Sequence, residues 1–245
     1  MALSRTFDVE LPDYFDLAAY DSVADLAVPW ANPNDPAAPW KVNAWFGFTA
    51  AWIGFAMRLR SADEYNQEFG SLIAIGSSPP RSVQYLQERA FFGCMTSCLS
   101  AIECFFLAAY CLANPVSRTH FPLAKAGHLN KYPHTVAAAF SRFDLHDPLS
   151  ARLSAIANSP ELESLSDLRN SLAHRGAFPR KAFLSNVGDI PTAIPSNPKA
   201  LALNFTHDSS LSSETTAQHV RWAGQELSTL TSDFLSFLVR QGVPP

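Results

Sequence analysis

The feature that most limits how this chain can fold is residues 90–113, a stretch long enough to span a membrane that carries one formal charge, Glu103. A run this apolar has to leave water, either inside a protein or inside a lipid bilayer. On a helix, Arg89, Thr96, Ser100 and Glu103 fall on one side, with Gly93 and Ser97 at its edge. A stripe of small and polar residues on an otherwise apolar helix suits a bundle interior with one wet cleft. No second segment matches its length, and the mean hydropathy of the whole chain is −0.00. The reading is therefore a central bundle helix and no membrane insertion.

The rest of the chain is read around that helix. Residues 1–42 combine acidic and aromatic residues with Pro29, Pro33, Pro36 and Pro39, a spacing that breaks helices and predicts an irregular arm lying on the body. Residues 43–69 are apolar and then amphipathic, with Trp45, Phe46, Phe48, Trp52, Ile53 and Phe55, which predicts a largely buried helix. Pro79 and Pro80 precede the long helix, expected over residues 81–113 and stopped by Asn114 and Pro115. Short helices are expected over 135–143 and 149–158, and a final amphipathic one over 213–240, with Val220, Leu227, Leu230, Phe234 and Leu238 facing inward. Between them, 177–210 reads as a Pro-rich insertion in which 182–187 and 200–206 could pair as a small β-hairpin. The expected fold is all-α, an up-and-down bundle of four to six helices over 43–245, with that hairpin and the irregular arm as additions.

Charge and cysteine content narrow the function classes. With 18 Lys+Arg against 22 Asp+Glu the net charge is −4, so any nucleic-acid contact must be local. Cys94, Cys98, Cys104 and Cys111 sit in one helix, which cannot form the cross-links of a secreted domain. Their helical directions spread over roughly 140°, so they do not converge on one metal. Reduced core cysteines in a cytoplasmic protein are expected, in line with the absence of a basic and apolar leader at the start. His120, His128, His134 and His146 match no ligand spacing and read as loop or surface residues, so no metal site is expected.

The clearest chemical signal is the run Arg169-Asn170-Ser171-Leu172-Ala173-His174, followed by Arg175 and Gly176. Its helix is well bounded: Ser159 as N-cap, Pro160 at the first helical position, Glu161 and Glu163 at the positive end, Gly176 just past the other end. Leu162, Leu165, Leu168 and Leu172 make a buried stripe, while Ser166, Asn170 and His174 make a polar one. Arg169 lies at the margin. A histidine in the last turn sits beside the negative end of the helix dipole, within reach of proton exchange near neutral pH. A permanently charged arginine stabilises charge building on a phosphorane oxygen, and Asn170 can orient the imidazole or hold a substrate oxygen. RNA supplies its own 2′-hydroxyl nucleophile, so a base and a charge stabiliser suffice without a metal or other cofactor. From Leu168 to Gly188 there is no Asp or Glu, whereas Arg169, Arg175, Arg180 and Lys181 are present, a local patch for a phosphate backbone. Arg169 and His174 point about 140° apart on a helix. Two copies meeting across a dyad through this polar face would gather two of each in one cleft.

The motif resembles that of the HEPN family, in which an Arg, a polar residue and a His four to six residues beyond the Arg recur; here these are Arg169, Asn170 and His174, continued by Arg175 and Gly176. The resemblance covers most of the chain after residue 42, although only the motif is specific. It implies a four- or five-helix bundle and a metal-independent endoribonuclease acting as a homodimer with a composite site. It also implies service in toxin–antitoxin modules, phage defence or RNA processing, with an antitoxin or regulatory protein as a further partner. Family members often place an acidic or polar residue from an earlier helix near the site, and Glu103 is the candidate; the alternative is a core glutamate paired with Arg89 or Arg58. The other reading of the same fold is a non-catalytic module that binds RNA, a nucleotide or a partner protein.

Overall fold

A computed structural model describes residues 11–13, 15–30, 34, 38, 41–74, 80–123, 131–175 and 213–242, without the side chains of Ser171, Leu172, His174 and Arg175. Among the described residues there are seven helices and no strand: α1 (Leu17–Trp30), α2 (Lys41–Ile73), α3 (Arg81–Ala113), α4 (Pro133–Phe143), α5 (Pro148–Ala157), α6 (Pro160–Arg175) and α7 (Ser213–Arg240). The helical bundle expected from the pattern is present. The hairpin over 182–187 and 200–206, and the rest of the 177–210 insertion, lie outside the described residues.

Helix α3 is the axis. Its most apolar stretch is 61% buried, although its length and composition alone would let it cross a membrane. It pairs with α2 over most of their length, and the two run antiparallel. At one end Gln87 Nε2 donates to the Leu72 carbonyl at 2.9 Å, and towards the other Gly54 faces Cys104. Close approach is enforced midway: a Cβ on Gly93 would lie 2.7 Å from the Tyr65 ring, so only glycine fits without moving that ring. Helix α7 closes the groove between them, and Phe234 reaches Phe105 at 6.1 Å and Trp52 at 6.5 Å. From there aromatic contacts continue through Phe237 to Phe140 at 5.5 Å, Phe121 at 4.8 Å and Tyr110 at 5.6 Å. Edge-to-face and offset pairs of this kind add to the area they bury.

The N-terminal arm corrects its expectation of irregularity. Within residues 1–42, α1 lies ahead of Pro33, Pro36 and Pro39, and Pro29 falls one residue before its end, so its missing N–H costs a hydrogen bond in the last turn alone. Val23, Ala24, Leu26 and Ala27 give it a buried face. Asp16 caps it, accepting from Ala19 N at 2.9 Å. The arm does lie on the body: Asp16 N donates to Ser228 Oγ at 2.9 Å, and Tyr20 stacks on Trp52 at 4.8 Å.

The shorter helices begin where prolines and caps put them. Pro133 and Pro148 occupy first-turn positions in α4 and α5. Asp147, buried to 5% exposure, accepts from Leu149 N at 2.8 Å and holds Arg240 Nη2 at 2.8 and 3.0 Å, tying the start of α5 to the end of α7. Replacing Asp147 by Ala removes a cap and a partly buried ion pair together, so a loss of about 2–3 kcal/mol is expected in urea unfolding. Asp147→Asn, which keeps the capping oxygen, should lose less.

Candidate active site at the α3 and α6 junction

Helix α6 is positioned by its own ends and its leucines. Ser159 Oγ accepts from Leu162 N at 3.2 Å, and Glu161 and Glu163 occupy the first turn, as expected for the positive end of the dipole. Leu162, Leu165 and Leu168 are buried, so α6 lies with its apolar side against the body and in contact with α3. The other side follows from the helical period: Ser166 is half-buried and Asn170 exposed. Arg169, one residue past Leu168, falls between the two and is half-buried.

That margin position brings Arg169 into electrostatic range of Glu103, the lone charge of the apolar stretch of α3. Burial pushes the Glu103 carboxyl above its ordinary value of 4.5, and the Arg169 guanidinium pulls it part of the way back. Neither cation weighed for Glu103 as a core residue is the one that acts on its carboxyl among the described residues. Arg89 pairs with Glu68 of α2, and it stands about 21 Å along the helix from Glu103. Arg58 acts on Cys104, lowering a thiol that burial raises. Two further polar atoms of this region are buried without a hydrogen-bond partner among the described residues: Arg169 Nε and, two turns from Glu103 on the same side of α3, Thr96 Oγ1. Unpaired buried groups of this kind mark places where water or a ligand supplies the missing bond.

The remaining site candidates divide by what is described. His174 and Arg175 have their backbone in the last turn of α6, and their side chains lie outside the described residues, as do Arg180 and Lys181. Among the histidines, His120 is half-buried, pairs through Nδ1 with Ser117 Oγ at 2.8 Å and packs edge-on against Phe143 at 5.5 Å. Among the described residues no three His, Cys, Asp or Glu side chains gather as a metal would require. The four cysteines are free. A hydrogen bond with Cys94 and burial push Cys98 far up, and burial alone raises Cys111 to about 12, so neither is a thiolate near neutral pH. One feature escaped the sequence reading: an apolar cleft of about 380 Å³ between α2 and α3, lined by Asn43, Phe46, Gly47, Ala50, Cys104 and Leu107. No sequence signal marked it, because apolar residues lie on every side of α2 and their periodicity does not tell which face is left exposed.

No protein-family model matches this chain, and comparisons with curated proteins and with solved structures give no match either.

Arg169→Met should raise the Glu103 carboxyl further, because the cation that opposes its desolvation among the described residues is gone; carboxyl chemical shifts followed against pH would measure this. The sign for stability follows. A carboxyl raised in the folded state contributes stability below its ordinary value and loses it as pH climbs through the raised one. In Arg169→Met that loss should therefore extend to higher pH than in the parent, and in Glu103→Gln it should vanish.

Proposed function

We propose that the chain is a metal-independent endoribonuclease of HEPN type, which cleaves RNA by attack of the 2′-hydroxyl at a site shared between two copies. The observation that carries the proposal is the half-buried Arg169, in electrostatic range of the half-buried Glu103 of α3 and followed directly by solvent-facing Asn170. A guanidinium oriented by a carboxylate in a partly dry setting is ready to meet developing negative charge without reorganising. In this reading His174 removes or returns the proton, Arg169 stabilises the phosphorane, and Asn170 positions an oxygen. Glu103 orients Arg169, and Arg175, Arg180 and Lys181 dock the phosphate backbone. The composite arrangement lets one imidazole act as base and the other as acid. The protein would work in the cytoplasm, in a toxin–antitoxin or phage-defence setting with an antitoxin or regulatory partner.

The competing reading, a non-catalytic module binding RNA, a nucleotide or a protein through the same groove, draws on the same pair: Glu103 and Arg169 also suffice as a structural contact between helices.

Purified protein in excess EDTA should cleave RNA to products with 2′,3′-cyclic phosphate ends, and Arg169→Ala and His174→Ala should each lower the rate by about 100-fold or more. Cleavage that survives both substitutions removes the proposal, and RNA binding without cleavage by the parent protein selects the binding module.

A further inference from the structure

The cleft between α2 and α3 lies beside the candidate site. Its α3 wall is Cys104, the residue after Glu103, and Leu107, one turn beyond Glu103 on the same side of the helix. Glu103 in turn has Arg169 in electrostatic range. The α2 wall includes Gly47 and Ala50, small residues that leave a flat, open side. At the lip stands Phe46, 63% exposed. Asn43 Nδ2 donates to the Leu123 carbonyl at 3.3 Å, which holds that carboxamide at one end of the cleft. The volume, about 380 Å³, falls in the range of small-ligand sites.

The charges around this cleft favour an anion. Residues 41–62, which contain its α2 wall, include Lys41, Arg58 and Arg60 and no Asp or Glu, and residues 90–113 include Glu103 alone. Arg60 is taken up by Glu64 at 2.7 Å. Arg58 is exposed and close enough to act on the Cys104 thiol that lines the cleft. On α6, Glu163 and Asp167 are exposed on the side away from its buried leucines, whereas Arg169 lies within range of Glu103. A lipid chain would fill such a volume and gain nothing from cations at its border. A base linked to phosphates uses both.

We propose that the cleft seats an unpaired base of single-stranded RNA, stacked on Phe46, with Asn43 meeting the edge of the base and Arg58 the adjoining phosphate. The inference deepens the ribonuclease reading and rests on its choice of RNA. Apolar walls without bulk accept a planar ring, and an exposed phenyl ring supplies the stacking that a splayed-out base loses on leaving its strand. A carboxamide both donates and accepts, so Asn43 can pair with a base edge and favour some bases over others. A duplex keeps its bases paired and stacked and cannot use the cleft. From a base held here, the strand reaches Glu103 and Arg169 within one turn of α3.

Fluorescence anisotropy with a labelled 2′-O-methyl strand of about 12 nucleotides, which binds but cannot be cleaved, tests this apart from catalysis. The parent chain should bind the single strand about tenfold or more tighter than the same strand in a duplex. Phe46→Ala should weaken binding about tenfold and Phe46→Tyr should restore it, with circular dichroism and thermal midpoint unchanged because the ring is exposed. Ala50→Trp, which fills the cleft from its open side, should weaken binding as much and serves if Phe46→Ala unfolds. Arg58→Ala should weaken binding and reduce its salt dependence by about one phosphate contact. Adenosine 5′-monophosphate binding as tightly as the strand overturns the assignment to RNA. A parent chain that cleaves RNA while the variants bind the strand unchanged overturns the cleft and leaves the ribonuclease standing. Binding that the variants weaken, without cleavage by the parent, keeps the cleft and removes the ribonuclease. A parent chain that neither binds nor cleaves removes both.

Discussion

The structure depends on keeping α3 out of water. Eighteen of its residues are buried, and the neighbouring elements are placed by the need to cover them. Helix α2 covers one side, closely enough that Gly93 meets the Tyr65 ring. Helix α7 covers another through Phe234 and Leu227, and α6 lays its leucines on a third. Burial of this order drives the assembly, while the aromatic contacts between Trp52, Phe105 and Phe234 decide which way the pieces fit. The arm adds to the same layer when Tyr20 stacks on Trp52.

The candidate site is a consequence of that burial. A helix this apolar has no cheap way to carry a charge, and its half-buried Glu103 has Arg169 of α6 within electrostatic range. The pair is poised between two roles. In a partly dry junction each charge steadies the other, and the guanidinium keeps donors in reserve, since Arg169 Nε has no partner among the described residues. Arg169 therefore couples the interior of the bundle to the exposed end of α6, where Asn170 stands and where the backbone of His174 follows one turn later.

Much of this was legible from residue order. The limits of α3 follow from Pro80 and from Asn114 with Pro115, because a helix cannot continue through them. The limits of α6 follow from Ser159 and Pro160, and its buried face from leucines three residues apart. Three things were not legible. Helix α1 was hidden by prolines that lie at its end and after it, since proline position within a helix matters more than proline number. The cation facing Glu103 was not readable, because Arg58, Arg89 and Arg169 are equally basic and only the packing of α6 on α3 chooses among them. The exposed face of α2 was hidden because its apolar residues looked like core residues on every side.

By itself, then, the order of residues determined six of the seven described helices, the cap of α6 and the polar unit at its end. Those depend on neighbours three or four positions away, within the reach of helical geometry. Only the tertiary structure decided that Arg169 serves Glu103, that Arg89 serves Glu68, and that Phe46 and Met57 stay uncovered. These outcomes join residues far apart in the chain, and they are set by which surfaces the buried axis leaves for its neighbours to fill.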